Sequence, residues 1–108
     1  MEKGALKMKK VYICSPYRGN CYSVTNNVSC ARIYCKKAME QGVIPIAPHI
    51  YFTQFLNDDI EEERNLGMEA GLQLLLECSE IWVYGTPTEG MKKEIEYAKE
   101  YGIKIVNF

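Results

Sequence analysis

Lys10-Val11-Tyr12-Ile13-Cys14-Ser15-Pro16-Tyr17-Arg18-Gly19-Asn20 is the stretch whose reading decides the fold. Its first five residues form a continuous apolar run of strand length, and Ser15-Pro16 stops it. Beyond the polar loop, Val24, Val28, Ala31, Cys35, Ala38 and Met39 recur at spacings of three and four, which is one face of a helix. Gly42 stands where a helix C-cap glycine belongs. A run buried on both faces, followed at once by an amphipathic helix, is the opening of a β-α-β unit with a parallel sheet.

The same alternation continues. Val43 to Ala47 reads as a second strand, and Pro45 within it predicts a sheet edge, where a missing N–H donor is tolerated. Asn57-Asp58-Asp59 before Ile60 reads as a helix start, with Glu61 to Glu63 complementing the positive end of the helix dipole. Met68, Leu72, Leu75 and Leu76 continue that helix, while Gly67 and Gly71 mark a break or a close contact. Ile81 to Tyr84 is a third strand. Met91, Ile95 and Ala98 give a last helix ending at Tyr101-Gly102, and Ile103 to Phe108 a final strand. The expected fold class is α/β, a single-domain Rossmann-like (flavodoxin-like) three-layer sandwich around a four- to five-stranded parallel sheet. Residues 1–9 read as a loose leading segment and residues 10–108 as the domain.

Composition narrows the function. The 108 residues hold 13 Lys+Arg against 14 Asp+Glu, a net charge of −1 that offers no basic footprint for duplex nucleic acid or an anionic membrane. No apolar run is long enough to span a bilayer. Five cysteines (Cys14, Cys21, Cys30, Cys35, Cys78) leave one unpaired in any complete disulfide scheme, so free thiols and a cytoplasmic, reducing setting are expected. With no CxxC spacing and a single histidine, no metal site is expected.

Parallel sheets bind ligands beyond the carboxyl ends of their strands. Three loops therefore matter: Ser15 to Asn20, Pro48 to Asn57, and Gly85 to Gly90. In the first, Ser15, Arg18 and Gly19 suit a phosphate or carboxylate, because arginine offers a planar fork and glycine admits a close backbone. An ordinary turn with a solvated arginine fits the same residues. In the third, Thr86-Pro87-Thr88-Glu89 resembles a capping box with proline at the first helical position. Glu94 follows Gly90 by four residues, so it leans over the space that glycine leaves empty and faces a cavity as a nucleophile or general base. Pairing with a lysine on a wet face is the plainer alternative. Tyr12, buried in the first strand, needs a partner for its hydroxyl, and Glu94 is a candidate. His49, after Ala47-Pro48, lies at the carboxyl edge of the second strand, and Glu80 just before the third. Asp58, Asp59 and Glu61 to Glu63 read as a solvated helix start. Tyr17, Tyr22 and Tyr51 fall near the rim of the expected site, where tyrosines can stack on a base.

Three motifs, VYICSPYRGN (residues 11–20), APH (47–49) and EIWVYGTPTEGMKKEIEYA (80–98), occur in an order and spacing that resembles the nucleoside 2-deoxyribosyltransferase-like superfamily. The resemblance is closest to its 2'-deoxynucleoside 5'-phosphate N-hydrolase branch and to related short bacterial and phage proteins. It implies an N-glycosidase-type enzyme that cleaves the base–sugar bond of a (deoxy)nucleoside 5'-monophosphate without metal or organic cofactor. Glu94 matches the family's catalytic glutamate and Tyr12 the tyrosine that orients it. Glu80 stands where the family usually carries an aspartate that assists the leaving base. Arg18 with Gly19 matches the pair that binds a 5'-phosphate, aided by Ser15, and Thr88 replaces a serine hydroxyl there. Gly90 matches the glycine ahead of the glutamate, and His49 a histidine at the pocket rim. The resemblance further implies a homodimer or higher homo-oligomer. The alternative is a nucleotide-binding or sequestering module of the same fold without turnover.

Overall fold

Side chains alternate across a strand, and in this protein that alternation sorts the core into two layers. A computed structural model describes residues 8–108, so the expectation for the leading segment lies almost wholly outside the described residues. β1 (Lys10–Cys14) is buried after its first residue. Its Val11 and Ile13 point to one face and pack with Ala38, Val43, Trp82 and Tyr84. Tyr12 and Cys14 point to the other and pack with Leu75, Ile81, Val83, Met91 and Ala98. Full burial of such apolar side chains contributes about 1.5–3 kcal/mol each.

The first face is covered by α1 (Val24–Glu40), capped by the Ser23 hydroxyl, which accepts from the Asn26 N–H. Gly42 stands just past the C-cap Gln41 of α1, and its φ of +83° is a left-handed conformation that favours glycine. Met39, expected on the core face, is exposed, and the buried polar residue Asn27 takes a place in the core side of the helix instead. β2 (Ile44–Ile46) follows, then a short helix α2 (Pro48–Tyr51) and a 3-10 turn (Phe52–Gln54), where the sequence reads as loop. α3 (Glu61–Leu75) and α4 (Glu89–Glu100) cover the second face, with β3 (Glu80–Val83) between them and β4 (Lys104–Asn107) last.

All strand pairings are parallel and the order is β2-β1-β3-β4. β2 is an edge strand, which accommodates Pro45. The flavodoxin-like α/β architecture is therefore the one the sequence predicts, with four strands. Two helix starts differ from expectation. Ile60, not an Asx residue, precedes α3 and makes no side-chain cap, and Thr88 rather than Thr86 caps α4, its hydroxyl accepting from the Met91 N–H at 3.3 Å. Neither Gly67 nor Gly71 breaks α3; both are close approaches, to Leu56 and to the Tyr12 hydroxyl. The five cysteines are free, and no helix among the described residues is long and apolar enough to cross a membrane.

Candidate active site

β1 and β3 lie at the centre of the sheet, and the loops leaving their carboxyl ends open a cleft of about 420 Å³. All three loops singled out in the sequence contribute to it, through Ser15 to Gly19, through His49 and Phe52, and through Thr88 to Gly90. The fourth wall, Gly67, Met68, Gly71 and Leu72 of α3, was not anticipated. Those residues share one helix face, and its two glycines let Leu56 and the Tyr12 hydroxyl pack close against it.

Glu94 lies at the cleft floor, half-buried on the second turn of α4. One carboxylate oxygen, Oε2, accepts from the Tyr12 hydroxyl at 2.5 Å, and the other, Oε1, accepts from the Cys14 thiol at 3.4 Å. Tyr12 and Cys14 sit two residues apart on β1, so the pleat sends both toward α4. Burial pushes the Glu94 carboxyl up to about 7, against the two hydrogen bonds that favour its ionised form. Burial, with the Glu94 charge adding to it, also holds the Tyr12 phenol and the Cys14 thiol above their ordinary ranges, so both remain protonated donors at neutral pH. A Cβ on Gly90 would meet nothing within 4 Å: the space beside Glu94 is open, as the four-residue spacing predicts.

The opposite side of the floor holds the buried Ser15, whose hydroxyl lies 2.8 Å from His49 Nε2. Burial lowers His49 to about 4, so the imidazole is neutral at pH 7 and exchanges a hydrogen bond with the hydroxyl rather than carrying charge. Thr53 donates to the His49 carbonyl and ties the 3-10 turn to α2.

Arg18 and Gly19 sit at the mouth. Gly19 has φ +92°, and a Cβ there would stand 3.9 Å from Thr88, so the loop closes over the α4 N-terminus. The loop is held from below by Asn27, whose amide donates to the Tyr17 carbonyl at 3.0 Å and to the Asn20 side chain at 2.9 Å. A polar residue on the apolar stripe of α1 was the available signal for that contact. The Arg18 guanidinium is engaged: Nε pairs with Asp58 at 2.8 Å and Nη1 with Asp59 at 3.2 Å. The two aspartates thus face arginine instead of capping α3, and among the described residues no three His, Cys, Asp or Glu side chains gather in a metal-binding group. Of the three rim tyrosines, Tyr17 lines the cleft, while Tyr22 and Tyr51 are outward and exposed.

Glu80, expected in the site, lies outside the cleft. It begins β3, pairing with Val11 at the amino end of the sheet, while the cleft lies beyond the carboxyl end. It also shares a face with Trp82, which packs on the α1 side, whereas Glu94 lies on the α3–α4 side. Lys9 at 2.7 Å and the Trp82 indole at 2.8 Å hold its carboxylate and keep it below the ordinary carboxylate range. Glu80 is a structural ion pair on the wrong face and edge to assist a leaving group.

A solved 2-deoxyribosyltransferase from the psychrotolerant bacterium Bacillus psychrosaccharolyticus, described as a biocatalyst for nucleoside synthesis, superposes on this chain with a TM-score of 0.69. The match covers 92% of this chain and 71% of that one at 16% identity, a likeness of fold. That fold is the one to which the three sequence motifs point. Among curated proteins, none matches the chain in sequence. From residue 9 to residue 108 the sequence matches the model of the family described as "Domain of unknown function (DUF7768)", and the chain belongs to that family.

Proposed function

We propose that the cleft binds a nucleoside or nucleoside 5'-monophosphate and that Glu94 acts in cleavage of its base–sugar bond. The observation that carries this reading is the Glu94 carboxyl at the cleft floor, held through both oxygens by Tyr12 and Cys14 beside the open space at Gly90. Breaking an N-glycosidic bond builds oxocarbenium-like positive charge on the sugar, and a fixed carboxylate facing the anomeric carbon stabilises or traps it. With its carboxyl titrating near neutrality, Glu94 is basic enough to attack that carbon or to take a proton from an attacking water. With Glu80 removed from the site, water supplies the proton to the departing base. The neutral Ser15–His49 pair offers directional donors and acceptors to the substrate.

In this reading Arg18 and the Thr88 hydroxyl grip a 5'-phosphate. Thr88 accepts from Met91 but keeps its own O–H to donate. Arg18 must exchange the Asp58 and Asp59 carboxylates for the phosphate oxygens, and remote binding of that kind fixes the sugar for reaction. One specific observation favours a second reading, in which the substrate is a nucleoside without phosphate: the guanidinium already has two carboxylate partners. Incubation with a panel of nucleosides and their 5'-monophosphates, with chromatography of the released base, tests both. Release by wild type and not by Glu94→Ala supports catalysis. Tight binding measured by calorimetry without release assigns the protein to binding or sequestration. The exposed Tyr51, Phe55 and Leu66 near the cleft support self-association, to be checked as a sedimentation mass above that of one chain.

A further inference from the structure

Cys14 has no part in the reading above beyond its contact with Glu94, yet it is fully buried in the first strand and reaches the reacting carboxyl. Two groups hold the two oxygens of Glu94 from one strand: the phenol of Tyr12 on Oε2 at 2.5 Å and the thiol of Cys14 on Oε1 at 3.4 Å. A carboxylate held through one oxygen can still pivot about that bond, whereas one held through both has a single orientation. The second acceptor within reach of the thiol, the Met91 carbonyl, is farther at 4.0 Å. We propose that Cys14 is a positioning residue: its S–H donates to Glu94 Oε1 and locks the plane of the carboxylate whose other oxygen Tyr12 holds.

A thiol suits this task better than a hydroxyl. It is a weaker donor than a hydroxyl, so it orients the carboxylate while stabilising the anion less than a hydroxyl would, and the carboxyl keeps most of the basicity that burial gives it. The same burial that keeps the thiol protonated makes it a poor nucleophile, which leaves donation as its chemistry. The other titratable side chains on the surrounding elements are Tyr17 and Arg18 on the first loop, His49 on α2, Asp58 before α3, Glu63 and Arg64 on the α3 wall, Cys78 after it, and Glu89, Lys93 and Tyr97 on α4. Of these, His49 is neutral above about 4 and Cys78 is uncharged below about 11, so neither changes state as Glu94 titrates near 7.

The inference rests on the proposed role of Glu94 only for its catalytic consequence, and its test uses the substrate-free protein. In wild type, the infrared S–H stretch assigned to Cys14 by its loss in Cys14→Ala should move to lower frequency as pH rises through the Glu94 titration. A band indifferent to that titration overturns the proposal and gives the thiol to Met91. In Cys14→Ala the Glu94 titration, followed by its carboxylate stretch, should move up by roughly half a unit to one unit. Cys14→Ser, which restores a donor, should bring it back below the alanine variant. A titration unchanged in Cys14→Ala, or a serine variant no lower than alanine, also overturns it. Should no nucleoside or nucleotide release its base, the catalytic reading of Glu94 fails while the Cys14–Glu94 pairing is judged by the spectra alone.

Discussion

The Tyr12 hydroxyl donates to Glu94 Oε2 at 2.5 Å across 82 positions of sequence, joining the first strand to the last helix. The contact does two things at once. It satisfies the one polar atom of a side chain that is otherwise embedded in the core, and it opposes the rise in Glu94 basicity that burial causes. A structural requirement of β1 and a chemical requirement of the cleft are met by one hydrogen bond.

Tyr12→Phe removes that donor and keeps the ring. The Glu94 titration should then move above its wild-type position near 7, since the ionised form loses its stronger partner. Base release at pH 7 should fall by about tenfold to a hundredfold, in keeping with about 1.5–3 kcal/mol for a hydrogen bond to a charged group. A variant that titrates and turns over like wild type would show that the phenol is only core.

Two groups in the cleft give opposite pH dependences of stability. Glu94 is raised from 4.5 to about 7 on folding, so between those values the folded state holds the extra proton and stability falls as pH rises. His49 is lowered from 6.5 to about 4, so over that window the unfolded state holds the extra proton and stability rises with pH. The windows overlap between 4.5 and 6.5 and the slopes oppose, so wild-type stability should be nearly flat there. Glu94→Gln should lose stability as pH falls, by about 1 kcal/mol per unit, and His49→Gln should gain it. Glu80, held below the ordinary carboxylate range by Lys9 and Trp82, loses its contribution only at lower pH. Urea midpoints across this range provide the measurement, and parallel profiles for wild type and Glu94→Gln would refute the assignment.

Gly90→Ala separates folding from use of the cleft. The added methyl meets nothing within 4 Å and replaces a poor helix former, so thermal stability should rise by about 0.5–1 kcal/mol. The same methyl projects into the space beside Glu94, so base release should drop. Raised stability with undiminished turnover would mean that the sugar does not occupy this space.

Arg18 and its two aspartates decide the preference for phosphate. Asp58→Asn with Asp59→Asn frees the guanidinium and should lower KM for a nucleoside 5'-monophosphate more than for the nucleoside. Arg18→Gln should reduce the two substrates to similar KM values. If Arg18→Gln leaves the ratio untouched, the substrate carries no phosphate at this position.

Much of this candidate site is legible in the sequence. The Gly90–Glu94 spacing is a local helical relationship, and so is readable from sequence, and the buried tyrosine of β1 announced a hydroxyl in need of a partner. The α2 turn and the α3 wall were not legible, because a four-residue helix has no periodicity to read, and a cleft wall made by paired glycines looks in sequence like a weak helix. Glu80 misled for a different reason. It stands at the start of the third strand, so a parallel sheet puts it at the amino edge, away from the cleft, and it was the family resemblance that assigned it to the site.

The sequence alone determined the element order, the parallel α/β sheet with Pro45 at an edge, and the loops that meet beyond the strand ends, since hydrophobic period and turn residues are properties of neighbours along the chain. Tertiary structure decided which charges reach the cleft. It tied Arg18 to Asp58 and Asp59, held Glu80 to Lys9, and brought Cys14 and Tyr12 onto the two oxygens of Glu94. Partner choice among distant side chains follows from sheet register and strand face, and these exist only once the layers have packed.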